Sequence, residues 1–296
     1  MQLRDDPRRA SDRRRGARDA GSVHRRGILR PRVHAHARDR PAHRRGAARR
    51  QGHDARHRRS FDRALPYGTQ ALHYDRPLVH IRRLSLVEGA REATGTAVII
   101  DVFRAFTTAA FCVAAGARDV VLLADHEQAL AMKAADPTLF LTGEIGGKPI
   151  LGFDLGNSPS KIDGLRLDGR RVVQRTSSGT QGVVAAAGAT EIVLGSLVIA
   201  AATGRYLRGR NEVSLVAMGT RDGDDHGEDE ICAAYLEQLL LDAAPPQPGI
   251  SLAPAEQWPD WFPRRDAELA LEVDRFDFAL PVVREDGLLI ARPVFA

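Results

Sequence analysis

Lysine is almost missing from this chain, and both lysine and glutamate are missing from its first 80 residues, where arginine alone carries the positive charge. Those residues hold 22 Arg and 8 Asp, a surplus of +14. The whole chain of 296 residues carries +5, so residues 81–296 carry −9. The pI of 9.7 therefore describes the arm and not the body. Aliphatic side chains are also nearly absent before Leu65, too few for residues 1–80 to bury the surface that would offset their ordering entropy. They are expected to form a disordered, basic, Arg/His-rich N-terminal arm. No aromatic residue appears before Phe61, which counts against single-strand nucleic-acid binding. The reading adopted is a solvated extension, or a stretch translated ahead of the true start. A tail for nucleic acid or another anionic surface is the alternative. The eight Asp count against a transit peptide, and no apolar h-region marks a secretory signal.

Other shortages narrow the body. With only two cysteines, Cys112 and Cys232, a disulfide framework is excluded, and both read as buried thiols of a cytoplasmic protein. No apolar run approaches a membrane span, so no membrane partner is expected. Eight of the ten histidines lie in the arm, which leaves His126 and His226 and excludes a His-based zinc site. No G-x-S-x-G or G-x-x-x-x-G-K stretch is present. Cys112 and Arg118 have the C-x5-R spacing of cysteine phosphatases, but Cys112 falls two turns inside an expected helix, where nothing would hold it as thiolate. Asp101 ends a strand as the nucleophile of aspartyl-phosphate phosphatases does, yet Phe103 stands where their second Asp would be.

What is present is an alternation of apolar runs and amphipathic segments. Strands are expected at 96–101, 119–124, 138–142, 171–175, 190–195 and 212–218, and helices at 104–116, 125–135, 179–188, 196–208 and 227–242. The pattern predicts an α/β domain over residues 81–296: three layers, a largely parallel or mixed sheet with helices on both faces, and a C-terminal β-hairpin turning near Asp286-Gly287.

Residues 143–159, GEIGGKPILGFDLGNSP, carry five glycines and two prolines and cannot continue as helix or strand. Ile150, Leu151 and Phe153 anchor the stretch, so it reads as an ordered loop that forms a site. The other polar clusters also follow strands, where open α/β sheets bind ligands: Asp101 and Arg104, then Arg175-Thr176-Ser177-Ser178-Gly179-Thr180, then Gly219 to Asp229. The Arg175–Thr180 run offers hydroxyls and backbone N–H groups to an anion, or else Ser178 is an ordinary helix cap. Asp101 could hold a cation, act as nucleophile or cap a helix, and Glu228 and Asp229 also stand at a helix start. If Asp101, Glu144, Asp154 and one of the Glu228–Asp229 pair converge, they make an all-oxygen site suited to Mg2+.

DVFRAFTTAAF, GE-x2-G, GFDLGNSP, T-x-x-GT and ED-x-x-CAA occur in an order and at spacings that resemble the 2-phosphosulfolactate phosphatase (ComB-like) family. The likeness covers roughly residues 84–295, including Phe276–Phe278. It implies a Mg2+-dependent acid phosphatase converting 2-phosphosulfolactate to 3-sulfolactate and phosphate on the route to coenzyme M. Carried onto matching positions, it singles out Asp101, Arg104, Glu144, Asp154, Asn157, Ser158, Thr176, Gly179, Thr180, Glu228 and Asp229. The chain departs from the family's pattern at Ile145, where Arg is common, at Ser177-Ser178, where Thr-Asn is favoured, and at Lys161, near the usual place of an acid.

The reading that follows has Mg2+ on Asp101 with Glu144 or Asp229 activating a water. Arg104, Arg175 and the hydroxyls stabilise the transferred phosphoryl group, and Glu228 or Asp154 protonates the leaving oxygen. Asn157, Ser158, Arg175 and Thr176–Thr180 would bind a small anionic phosphoester. Homo-oligomerisation is left open. The Ile145 departure motivates an alternative, a non-catalytic anion-binding protein on the same fold.

Overall fold

The computed structural model describes residues 34–35, 79–219 and 227–295. The expectations for the arm fall outside the described residues except at His34–Ala35, Val79 and His80, and the run 220–226, with His226, also lies outside them.

The elements follow the expected alternation. β1 (His34–Ala35) pairs antiparallel with a later strand, and β2 (His80–Ser85) leads directly into α1 (Leu86–Arg91). Then come β3 (Thr96–Ile100), α2 (Ala105–Ala114), β4 (Asp119–Leu123), α3 (His126–Ala135) and β5 (Phe140–Ile145). The glycine-rich stretch forms two-residue strands β6 (Lys148–Pro149) and β7 (Leu155–Gly156) and the short α4 (Pro159–Ile162). β8 (Arg171–Arg175), α5 (Gly179–Ala185), β9 (Glu191–Gly195), α6 (Ala200–Tyr206), β10 (Glu212–Ala217) and α7 (Glu228–Leu240) complete the alternation. β11 (Ile250–Ser251) is the partner of β1, and α8 (Arg264–Ala270) precedes the hairpin of β12 (Leu280–Glu285) and β13 (Leu288–Ala291). The helix expected at 196–208 is split into a 3-10 turn over Leu197–Ile199 and then α6. β2 begins at His80, one residue ahead of the expected domain boundary, and β2, α1, α4 and α8 were not foreseen.

The main sheet runs β2-β10-β3-β9-β12-β13-β4-β8-β5-β6, with β7 on β5. Side chains alternate cleanly across it. Ala97, Ile99, Val120, Leu122, Ile192 and Leu194 face one core with α2 and α5, while Val98, Ile100 and Val193 face α7 and α8. Val121, Leu123 and Val173 face a third core under α3. Helices thus cover both faces of a mixed sheet, and runs such as TAVII are wholly buried because neither face is wet.

The C-terminal hairpin enters the middle of the sheet, β12 antiparallel to β9 and β13 antiparallel to β4. Three antiparallel steps separate β9 from β4, so the parallel block β2-β10-β3-β9 runs opposite to the block β4-β8-β5. The polar clusters therefore do not share one edge of a uniformly parallel sheet. They meet nevertheless: the Ser178 hydroxyl after β8 donates to the Met218 carbonyl after β10 at 2.7 Å.

Candidate active site

β3 delivers Asp101 into the interior at its carboxyl end, 3 % exposed. Its Oδ1 accepts from the Ala105 N–H at 3.0 Å, which fixes the carboxylate over the start of α2. Asp229, in the first turn of α7, is equally buried, and its Oδ1 accepts from the Val102 N–H at 2.7 Å. Two buried acids are thus pinned to the same four-residue turn, 102–105. Three acids at the start of α7, Glu228, Asp229 and Glu230, also suit the positive end of the helix dipole. Glu230 is committed to Arg83 and Ser85 of β2, whereas Glu228 is half-buried one residue before Asp229.

Glu144, at the end of β5, is held differently. Its Oε1 accepts from Ser177 N–H at 2.5 Å, and its Oε2 accepts from Ser177 Oγ at 3.0 Å and Gly147 N–H at 2.5 Å. Gly147 in turn offers its carbonyl to Arg104 Nη2 at 3.4 Å, while Arg104 Nη1 donates to Trp261 O at 2.8 Å and to Asp266 Oδ2 at 2.9 Å. A Cβ at Gly179 would stand only 2.9 Å from Asp101 Oδ2, so the loop after β8 comes up close to this carboxylate. Hydrogen bonds link Arg104 to Gly147, Gly147 to Glu144 and Glu144 to Ser177, and the chain itself joins Asp101 to Arg104 and Ser177 to Gly179, so these residues form a ring. Segments far apart in sequence do meet.

The hydroxyls of the Arg175–Thr180 run are engaged within the protein. Thr176 and Thr180 lock each other, Thr180 N–H donating to Thr176 Oγ1 at 3.0 Å and Thr176 N–H to Thr180 Oγ1 at 2.9 Å. Ser177 serves Glu144 and Ser178 serves Met218. Ser178 occupies the cap position of α5 without making a side-chain cap. Arg175 donates to the carbonyls of Ala124 and Glu144 and so ties β8 to its neighbours. What the run still offers is backbone: the amides of Ser178 and Gly179 make no hydrogen bond among the described residues. Asn157 is buried, and its Oδ1 has no hydrogen-bond partner among the described residues, while Ser158 donates to Asp266 Oδ1 at 2.8 Å.

Asp154 stands apart from the ring. Its carboxylate accepts from Lys133 Nζ at 3.0 Å and from the Leu141 N–H at 2.8 Å, and the residue is exposed. Its company is that of a strand-edge clasp, so the structure does not bring it to the other acids. Cys112 is buried in α2, and burial pushes its thiol pKa up to about 12, the opposite of what a nucleophilic thiolate needs.

Among the described residues no three His, Cys, Asp or Glu side chains come together to hold a metal. The donor set fits Mg2+ only in part. Asp101 and Asp229 are two neighbouring buried carboxylates, enough for a cation that keeps several waters. Glu144 accepts from its own loop and from Ser177 and does not join Asp101 and Asp229 in a three-acid group among the described residues.

The family model described as 2-phosphosulpholactate phosphatase matches residues 83–254. The chain belongs to that family. A probable 2-phosphosulfolactate phosphatase of Deinococcus radiodurans is 40 % identical over 148 residues, 49 % of this chain and 61 % of the relative. One of Caldicellulosiruptor saccharolyticus is 34 % identical over 155 residues, 50 % and 64 % of the two chains, and one of Thermus thermophilus is 36 % identical over 186 residues, 60 % and 77 %. The chain thus spans about three-fifths of the length of the first two. Two partners of Arg104 lie beyond the matched stretch, because Trp261 and Asp266 follow residue 254. Sequence reasoning passed over both. The available signal was compositional: both tryptophans of an aromatic-poor chain fall in QWPDWFP, a few residues before Asp266.

Proposed function

We propose that the protein hydrolyses the phosphate ester of 2-phosphosulfolactate, or of a small phosphorylated acid like it, to 3-sulfolactate and inorganic phosphate. The observation that supports this reading best is the pinning of Asp101 and Asp229 to one turn beside Gly179, within the stretch that the family model matches.

Asp101 and Asp229 would hold Mg2+, which when bound supplies charge to polarise the phosphoryl oxygens and acidify a coordinated water. Their Oδ1 atoms are fixed by backbone N–H groups, so the pair is preorganised without reordering of side chains. The Ser178 and Gly179 amides are donors for a phosphate oxygen. Glu144 keeps that loop in place by accepting from Ser177 N–H, and Arg104 carries positive charge along the ring. Glu228, half-buried beside Asp229, is the group assigned to protonate the leaving oxygen. Cys112 and Cys232, both free and buried, support a reducing, cytoplasmic setting.

The decisive experiment measures phosphate released from 2-phosphosulfolactate and from a panel of simpler phosphomonoesters, with Mg2+ and with chelator. Release is expected with Mg2+, lost on chelation and lost in Asp101→Asn while the fold persists by circular dichroism. No phosphate from any ester in Mg2+ sinks the proposal and leaves the anion-binding alternative.

A further inference from the structure

We propose that Asp266 is a positioning residue of this site, acting through Arg104. The inference rests on the phosphatase reading for the activity it tunes, while its geometry stands on its own. Asp266 belongs to α8, outside the family match, and is fully buried. A buried carboxylate is tolerated only when its oxygens are paired and hydrogen-bonded. Here the two oxygens divide the work. Oδ2 accepts from Arg104 Nη1 at 2.9 Å, while Oδ1 accepts from Ser158 Oγ at 2.8 Å, Ser160 N–H at 3.0 Å and Ser160 Oγ at 2.5 Å.

One carboxylate therefore joins the strand-end motif of Arg104 to the turn that closes GFDLGNSP. It also determines how the guanidinium lies. With Nη1 shared between Asp266 and Trp261 O, and the Phe262 ring 4.1 Å from the guanidinium carbon, the plane of Arg104 is set on one edge and one face. Nη2 is then aimed at the Gly147 carbonyl, in the loop whose N–H holds Glu144. Asp266 also pairs a guanidinium only 4 % exposed, so neither group is left inside the protein without a partner. The segment of Trp261, Phe262 and Asp266 is thus the wall that delivers Arg104 to the ring in one orientation.

A double-mutant cycle tests this. Asp266→Asn keeps the shape and loses the charge, and it is expected to lower kcat/KM for phosphate release roughly tenfold to a hundredfold, with Asp266→Glu recovering part of the loss. In an Arg104→Met background the same Asn substitution should change kcat/KM less than about twofold, because the residue it acts through is gone. A merely structural role predicts the same proportional loss in both backgrounds. Equal losses, or no loss in either, overturn the proposal.

If the wild-type protein releases no phosphate, the phosphatase reading has failed by itself. The cycle is then run on binding of inorganic phosphate, followed by tryptophan emission, to which Trp258 and Trp261 both contribute; the Trp261 ring centroid lies 5.8 Å from the Arg104 guanidinium carbon. Weakened binding that depends on Arg104 supports the positioning role, and weakening independent of Arg104 overturns it. A wild-type protein that neither turns over phosphoesters nor binds phosphate overturns both claims.

Discussion

A methyl group added to Gly179 would lie 2.9 Å from Oδ2 of Asp101 and 2.7 Å from Cβ of Ala105. The glycine is needed for close approach and not for an unusual backbone angle, because the loop after β8 must touch the carboxylate at the end of β3. Ala105 cannot yield, since it is buried in the first turn of α2 and its N–H holds Asp101. Gly179→Ala should therefore displace the carboxylate. Overpacking costs about 1–3 kcal/mol. Phosphate release should fall by at least roughly tenfold, with a lower Tm in a thermal melt. Unchanged turnover would show that Asp101 does not need its present position.

Glu144 is surrounded by donors, which makes its replacement by glutamine informative. Glutamine can accept with one atom only, and its NH2 group would confront either Ser177 N–H or Gly147 N–H. Leaving such a donor unsatisfied costs about 1–3 kcal/mol. Glu144→Gln is expected to lower Tm to a similar degree with and without Mg2+. A Tm loss that appears only in the presence of Mg2+ would instead make Glu144 a metal ligand.

Asp154 gives the contrasting case. Its partners are Lys133, α3's cation, and the backbone of β5, and the pair is partly exposed. Exposed pairs of this kind contribute about 0–1 kcal/mol. Asp154→Asn should keep kcat within about twofold of wild type and shift Tm only slightly. A loss of turnover beyond tenfold, at unchanged Tm, would return Asp154 to the chemistry.

Much of this arrangement is legible in the sequence. Buried strands such as Thr96–Ile100 read as unbroken apolar runs, and the glycines of residues 143–159 marked a segment that holds Glu144, at the end of β5, and Asn157 in the interior. Where the hairpin of β12 and β13 pairs was not legible, because a two-strand pattern records its own turn and not its distant neighbours β9 and β4. The opposed directions of the two sheet blocks follow from that one insertion. The hydroxyls of Thr176 and Thr180 looked available to a ligand since sequence shows donors without showing their partners. Asp266 was hidden for a similar reason. RRDAELA has the composition of a solvated helix, and only packing against Arg104 and Ser158 reveals a buried charge.

Glu191 predicts how stability depends on pH. Burial pushes its pKa up, but the fork from Arg210 (2.9 and 3.1 Å) and the Tyr206 hydroxyl (2.5 Å) outweigh burial, and the carboxyl is held below its ordinary 4.5. A folded-state value below the unfolded one means that the carboxylate stabilises the protein at pH values above 4.5 and loses that contribution as pH falls through the lowered value. Glu191 lies at the start of β9, the end of the strand opposite Gly195 and the Asp101 N–H bonded to it, so Glu191→Gln should leave phosphate release unchanged. Melts of wild type and Glu191→Gln should differ by a constant Tm offset in neutral and mildly acidic buffer. The offset should shrink as the buffer is taken below about pH 4.5, because the unfolded wild type then takes up a proton at Glu191 that the folded protein still excludes. An offset that grows on acidification would mean that the carboxylate is not favoured by folding, and that Arg210 and Tyr206 fail to overcome its burial.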